Sequence, residues 1–255
     1  MKRRALIGVT AALLTPTVLA MAAMPPPASP AIIAAIATPD RGADRQADAR
    51  RKPAEILAFS GVKRGERVGE LIPGSGYFTR LFSKLVGPNG RVYAIWPEPY
   101  WKEAHPDPEN LAALAKTPGY GNIQVLVQPA AAFSAPAPLD LVFTSQNYHD
   151  YPDPFMGPTD PALFNRAVFK ALKPGGVFLV IDHVAEAGSG LRDTDTLHRI
   201  DPQTVKTQVE AAGFVYVGEI DVLRNPADTH KLKVFDSAIR GHTDQFIFKF
   251  RKPIG

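Results

Sequence analysis

The chain has 255 residues, and 45% of them are hydrophobic, which is enough to fill one globular core with an appendage. Its formal charge is +4, but Lys2, Arg3 and Arg4 supply three of these charges. The rest has 26 basic side chains against 25 acidic ones, a balance that excludes the basic surface needed to bind nucleic acid. The absence of cysteine excludes disulfides and lipid attachment to a cysteine.

Residues 1–23 have the pattern of a secretory signal. A basic start precedes an apolar stretch from Ala5 to Ala20, and small residues surround Met21. This pattern predicts cleavage and export to the periplasm or the medium, with no stable membrane anchor after processing. The alternative is a retained N-terminal anchor. The export route also stays open, because the Arg3-Arg4 pair resembles a twin-arginine signal only faintly.

The next segment, residues 24–43, is rich in proline and alanine and predicts an extended linker. Residues 44–60 are helix-forming, charged first and then apolar, and are expected to cap a sheet ahead of the first strand. We therefore predict one folded domain over residues 44–255.

Residues 68–79 form the most informative stretch of the chain. A buried strand ends at the acid Glu70, a turn with Gly74 and Gly76 follows, and a helix then begins. Glycines allow the backbone to approach a ligand closely, and the free N–H groups of the helix start face the same place. The acid favours a cationic or hydroxyl-rich ligand over a pyrophosphate.

Beyond this turn, strand and helix patterns alternate. Residues 78–85 carry an apolar stripe at helical spacing, and Asp201-Pro202 has the form of a helix start. The alternation predicts a doubly wound, Rossmann-like α/β sheet of seven strands, mainly parallel with an antiparallel final strand. The predicted strands are 67–71, 91–95, 123–128, 139–145, 177–182, 214–223 and 245–251, with helices at 78–85, 109–116, 161–172 and after 201.

This order of motifs resembles the class I S-adenosylmethionine-dependent methyltransferases. Glu70, Gly74 and Gly76 match the family's D/E-x-G-x-G-x-G loop, whereas Ile72 stands where its first glycine belongs. Residues 172–176, LKPGG, are similar to the family's turn before strand five. The resemblance covers about residues 51–252 and implies S-adenosylmethionine as the cofactor. The chain resembles the predicted bacterial methyltransferases that carry a signal sequence.

The resemblance also implies cofactor contacts at the strand ends. The candidates in the first loop are Glu70, Pro73, Gly74, Ser75, Gly76 and Tyr77. After the second strand, where the family carries an acid for the ribose hydroxyls, Trp96 is a candidate to stack on the adenine and Glu98 to reach the ribose. An ordinary solvated glutamate is the alternative for Glu98. Asn147, after the fourth strand, completes the predicted cofactor site.

The fourth strand ends in a dense polar and aromatic run, residues 145–151. His149 is the candidate general base, Asp150 its orienting partner, and Tyr148 a residue that packs against the methyl group or the substrate. The alternative is a hydrogen-bonded loop that only caps the sheet.

Further histidines follow the fifth strand. Asp182, His183 and His198 are predicted at the same sheet edge as His149, and such a set can hold a divalent metal. No local metal-binding spacing supports this, so no metal site is assigned. Residues 221–241 form a connection long enough for a lid or a disordered segment.

The expected function is S-adenosylmethionine-dependent methyl transfer to a small molecule, with the oligomeric state left open. Two alternatives remain. One is a non-catalytic ligand-binding protein on the same fold, which the departures at Ile72, Trp96 and Gln128 and the export signal favour. The other is a metal-dependent hydrolase that uses the His149 and His183 cluster.

Overall fold

The computed structural model describes residues 24–157 and 159–255, so the predicted signal at 1–23 lies outside the described residues. Seven strands form one sheet in the order β3-β2-β1-β4-β5-β7-β6. All neighbouring pairs are parallel except those of β7, which runs antiparallel to both β5 and β6. The predicted doubly wound sheet with an antiparallel final strand is therefore confirmed. The strands are β1 (Arg67–Leu71), β2 (Arg91–Pro97), β3 (Ile123–Gln128), β4 (Leu139–Ser145), β5 (Leu172–His183), β6 (Val215–Glu219) and β7 (Gln245–Arg251).

Helices cover both faces of the sheet. They are α1 (Pro30–Ala37), α2 (Asp48–Arg51), α3 (Pro53–Ser60), α4 (Tyr77–Val86), α5 (Glu98–Glu103), α6 (Asp107–Leu114), α7 (Pro161–Ala171), α8 (Thr194–Leu197) and α9 (Pro202–Ala211). The side chains of successive residues in β4 point to opposite faces, as in any strand. Phe143 accordingly packs with the apolar stripe of α4, whereas Val142 packs with α7 and α9. The sheet therefore lies between two apolar layers. Within the described part of the chain, no helix has the length and apolar content needed to span a membrane.

The prediction of an extended linker over residues 24–43 is wrong for Pro30–Ala37. Ser29 caps this segment as a helix, because its hydroxyl accepts a hydrogen bond from the Ile32 amide and proline occupies the first turn. Ile32 and Ala35 are buried in the same apolar layer as α3 and α4. The proline- and alanine-rich composition predicts an extended chain, but the burial of one apolar face stabilises a helix here instead. The boundary of the domain at residue 44 stays a prediction.

Other differences concern element ends. β5 begins at Leu172, five residues earlier than predicted, because Leu172 pairs with Leu139 across a register shift in β4. β6 ends at Glu219 rather than at residue 223, and α5 at Glu98–Glu103 was not predicted. The Asp201 cap is confirmed, since its side chain accepts from the Gln203 amide.

Candidate functional site

The candidate site lies at the carboxyl ends of the parallel strands. The strand order reverses between β1 and β4, and ligands of open α/β sheets bind at such a point. The turn after β1 and the residues after β4 therefore lie on either side of the expected ligand position. The ends of β2 and β5 lie at the same edge of the sheet.

The turn after β1 keeps a glycine-like backbone although one of its positions is not glycine. Ile72 has a φ of 47°, in the left-handed region, at a cost of about 1–2 kcal/mol for such a residue. Its buried side chain and the hydrogen bond from its amide to the Ile95 carbonyl hold it there. A Cβ at Gly74 would have no heavy atom within 4 Å, whereas one at Gly76 would lie 2.7 Å from Leu111 Cδ1. Open space thus adjoins Gly74, in front of the α4 N-terminus, while Gly76 is needed for packing.

Glu70 is buried at the end of β1. Its Oε2 accepts a hydrogen bond from the Thr79 hydroxyl at 2.5 Å, which ties the strand to α4. Burial raises the pKa of Glu70 to about 8, and neither the Thr79 hydrogen bond nor the charges of Arg51 and Arg80 offset it. In these surroundings Glu70 is therefore an uncharged acid at neutral pH, and a nearby cationic ligand would favour its ionisation.

This pKa predicts a pH dependence of stability. The folded-state pKa of Glu70, about 8, lies above its ordinary value of 4.5, so its stabilising contribution is complete below pH 4.5 and is lost as the pH rises through 8. Between pH 6 and pH 8 we expect the wild-type chain to lose about 2 kcal/mol relative to Glu70→Gln. Urea unfolding of both proteins at several pH values measures this difference. Parallel pH profiles for the two chains would show that Glu70 does not titrate in this range.

Tyr77, a predicted cofactor contact, is engaged with the N-terminal segment. Its hydroxyl donates to Asp48 Oδ1 at 2.6 Å, and Asp48 also forms a bidentate pair with the buried Arg41. The Arg51 guanidinium lies 4.6 Å from the centre of the Tyr77 ring. Tyr77 thus attaches α2 to the start of α4. Pro73 and Gly74 are half-buried and Ser75 is exposed, so these three remain accessible to a ligand.

The two candidates after β2 have opposite environments. Trp96 is fully buried in the apolar layer that contains α7 and α9, and none of the described residues offers its Nε1 a hydrogen bond. The prediction that Trp96 stacks on an adenine is therefore wrong, because no face of its ring is open. Glu98 is exposed as the first residue of α5. Of this pair, Glu98 alone is placed to meet a polar ligand at the edge of the sheet.

Tyr148 does not face the edge of the sheet. Its side chain is buried, its hydroxyl accepts from Asn165 Nδ2 at 2.7 Å, and it donates to Gln208 Oε1 at 3.1 Å. These partners lie on α7 and α9, so Tyr148 joins the two helices beneath the sheet. The predicted contact between Tyr148 and a methyl group or substrate is wrong. Asn147, by contrast, is half-buried, and its Oδ1 has no partner within the described residues.

His149 is held between two carboxylates. Its Nδ1 lies 2.8 Å from Asp182 Oδ1, its backbone amide donates to Asp182 Oδ2 at 2.8 Å, and its Nε2 lies 3.2 Å from Asp150 Oδ1. Burial disfavours charge on His149, but Asp182 and Asp150 outweigh this and raise its pKa to about 10. The ring is therefore protonated at neutral pH in this arrangement. The role of His149 as general base stays a prediction, and Asp182 shares the orienting role given to Asp150.

His198, and not His183, is the second histidine of this cluster. His198 Nδ1 lies 3.3 Å from His149 Nε2 and 3.6 Å from Asp150 Oδ1. The His183 ring lies 6.1 Å from that of His149, and its Nδ1 pairs with the Thr243 hydroxyl at 2.7 Å. Burial lowers the pKa of His183 to about 3, so it is neutral. The expected pairing of His149 with His183 is corrected accordingly.

Sequence reasoning missed two residues of the site. Tyr100, on α5, donates to Asp150 Oδ2 at 2.6 Å and fixes that carboxylate. Arg51, on α2, packs on the rings of Tyr77 and Phe78 beside the glycine turn. An acid followed by proline at Glu98 is a helix-start signal and could have indicated α5. No local signal places Arg51, since its position depends on tertiary packing.

The residues of this edge fit the cofactor that the loop implies. Gly74 borders open space, and the α4 N-terminus presents free amide groups there. Thr144 Oγ1 and Asn147 Oδ1, at the end of β4, are buried polar atoms with no partner in the described residues. Such orphaned atoms are costly, and a polar ligand would satisfy them.

The comparisons with known proteins agree with this fold. No family model matches the chain. Over 140 residues it is 31% identical to a protein-L-isoaspartate O-methyltransferase of Ignicoccus hospitalis, covering 54% of this chain and 57% of that protein. Over 183 residues it is 28% identical to a ubiquinone/menaquinone biosynthesis C-methyltransferase of Escherichia coli, covering 70% of this chain and 68% of that protein. The chain thus spans little more than half of the first of these relatives.

A solved methyltransferase of Aquifex aeolicus, described as S-adenosylmethionine-dependent, superposes with a TM-score of 0.55 at 19% identity. The match covers 88% of this chain and 98% of that one. The sheet order and this superposition define the class I methyltransferase fold. The chain therefore has the fold of these methyltransferases, and over part of its length its sequence is similar to two of them.

Proposed function

We propose that this chain binds S-adenosylmethionine at the turn after β1 and transfers its methyl group to a small molecule. The observation that carries the proposal is the turn itself, where a buried acid, open space at Gly74 and the α4 N-terminus meet at the switch point of the sheet. The similarity to two curated methyltransferases supports the same activity.

Several residues of the turn and its surroundings are available to hold the cofactor. The Gly74 backbone and the first amides of α4 offer donors, and Glu70 offers a carboxyl group close to the expected sulfonium or amino charge. Glu98 is placed for the ribose hydroxyls, and Asn147 supplies an unused amide oxygen. S-adenosylmethionine, when bound, supplies an electrophilic methyl group on a sulfonium centre. The contribution of the protein is to position the acceptor and exclude water.

Acceptor deprotonation does not fall to His149 in its present contacts. Both ring nitrogens of His149 already face other groups, Nδ1 facing Asp182 and Nε2 facing Asp150 and His198, so neither is directed at an acceptor. An acceptor that needs no strong base, or one that reaches the cluster in ionised form, suits this site.

Calorimetric titration with S-adenosylmethionine and S-adenosylhomocysteine tests the proposal. We expect saturable binding to the wild-type chain and an affinity about 10- to 100-fold lower for Glu70→Gln, because that variant loses a charge-assisted contact. Glu66→Gln is the matched control and should bind like wild type. In the wild-type chain, the Glu66 carboxylate accepts from the Lys63 amide at the opposite end of β1.

The outcomes separate the alternatives. Absence of binding at millimolar ligand would overturn the proposal. Binding without turnover of any acceptor would favour a non-catalytic ligand-binding protein on this fold. The buried Trp96 and Tyr148 are compatible with either, since neither contacts the open edge. Export of the chain stays a prediction from residues 1–23.

A further inference from the structure

Three atoms that could coordinate a metal form a triangle in the histidine cluster. They are His149 Nε2, Asp150 Oδ1 and His198 Nδ1. They are separated by 3.2 Å (His149 to Asp150), 3.3 Å (His149 to His198) and 3.6 Å (His198 to Asp150). Ligand atoms of a tetrahedral Zn²⁺ with bonds near 2.0–2.1 Å stand about 3.3–3.4 Å apart. The triangle thus has the dimensions of one face of such a tetrahedron.

The surroundings of these atoms also match a metal centre. Asp182 holds His149 through Nδ1, which leaves Nε2 directed at the other two donors; a carboxylate behind a histidine is the common support of a metal ligand. Tyr100 occupies Asp150 Oδ2 and so directs Oδ1 into the triangle. Asp150 is almost wholly buried, and within the described part of the chain its Oδ1 makes no hydrogen bond of regular geometry; its neighbours are the two imidazole nitrogens of the triangle. A cation placed between these three atoms would give this buried oxygen a partner.

His198 is the third ligand of the triangle and the only one of the three whose side chain is partly exposed. Its backbone has a φ of 53°, which turns the ring toward His149, and its side chain is 22% exposed. Asp150 and His149 are almost wholly buried, so solvent reaches the cluster from the side of His198. Three protein ligands with one open position are typical of a catalytic metal site.

We propose that His149, Asp150 and His198 form a site for a divalent transition cation of the Zn²⁺ class, with its fourth position open to water or to a ligand oxygen. Two imidazoles with one carboxylate favour Zn²⁺ or a related transition metal over Mg²⁺ or Ca²⁺, which prefer oxygen ligands. The positive charge of the ion would offset the carboxylate of Asp150 and that of Asp182, which lies behind His149. The site does not depend on the methyltransferase proposal, because none of its ligands belongs to the turn after β1.

The test is a Zn²⁺ titration of the full chain after removal of metals by a chelator. We expect about one Zn²⁺ per chain with submicromolar affinity. His198→Asn should weaken binding about 100-fold or more, since loss of a supporting residue alone costs 10- to 100-fold. Asparagine tolerates the left-handed backbone at this position, and His198 is partly exposed, so the variant should fold. Circular dichroism checks that it does.

His105→Asn is the matched control, because His105 is an exposed histidine that pairs with Glu109 outside the cluster. It should bind Zn²⁺ like wild type. Visible absorption of Co²⁺ bound in place of Zn²⁺ gives a second readout, which should be lost in His198→Asn. Absence of stoichiometric uptake, or wild-type affinity in His198→Asn, would overturn the proposal. No S-adenosylmethionine is present, so failure here leaves the proposed methyltransferase activity untouched.

Discussion

Replacement of Arg199 with methionine is expected to lower the free energy of unfolding by about 3–5 kcal/mol, because it leaves a buried carboxylate without its partner. Arg199 is fully buried, and its guanidinium forms a bidentate pair with Asp228 at 2.9 and 3.1 Å. It also donates to the carbonyl oxygens of Val184 and Leu232, so methionine would leave these acceptors unpaired as well. Chemical denaturation at neutral pH measures the change.

The control for this prediction is Arg192→Met. Arg192 also pairs with two carboxylates, those of Glu186 and Asp193, but its side chain is 59% exposed. Water and salt screen such a pair, so its loss should be nearly neutral. Equal destabilisation by the two substitutions would show that burial of the Arg199 pair does not matter.

Arg199 also explains why the long connection before β7 is ordered. The sequence of residues 221–241 predicted a lid or a disordered segment. In the structure, the Asp228 carboxylate accepts hydrogen bonds from the Arg199 guanidinium and from the Asp244 backbone amide. The Asp244 carboxylate in turn pairs with Arg224 and His230. Each partner is distant in sequence from Arg199. Composition and periodicity cannot reveal such a network, because it depends on which charges the fold brings together.

The fold itself was largely predictable because its signals are local. The glycine turn, the stripe of α4 and the Asp201 cap each depend on a few neighbouring residues, and all three are present. The linker was mispredicted because proline and alanine are also compatible with a short capped helix once Ile32 has a core to enter.

The candidate site was predictable in place but not in detail. The ends of β1, β4 and β5 meet as expected, because parallel strands align their carboxyl ends. Which side chains face the ligand depends on how each loop leaves its strand. Trp96 and Tyr148 turn into the core, whereas His198 adopts a left-handed backbone and its ring lies beside that of His149. No sequence pattern distinguishes these directions.

The second large effect is expected for Asp182→Ala, which should lower the free energy of unfolding by about 3–5 kcal/mol. Asp182 is fully buried and accepts from three donors: the His149 amide, the His149 ring, and the His183 amide. Alanine would leave all three donors unpaired in the interior. The free-energy penalty of an unpaired buried donor is larger than the net stabilisation that its hydrogen bond provides. Thermal and urea unfolding of the chelator-treated chain measure the change.

Asp221→Ala is the control for Asp182→Ala, because Asp221 is exposed and its substitution should be nearly neutral. Asp182→Asn should fall between the two, since the amide keeps one acceptor oxygen but turns a donor toward the remaining N–H groups. If the free energy of unfolding is lowest for Asp182→Ala, intermediate for Asp182→Asn and highest for wild type, the carboxylate holds His149 through hydrogen bonds rather than by packing alone. Equal losses for Ala and Asn would mean that the negative charge opposite the imidazolium is the part that stabilises the loop after β4.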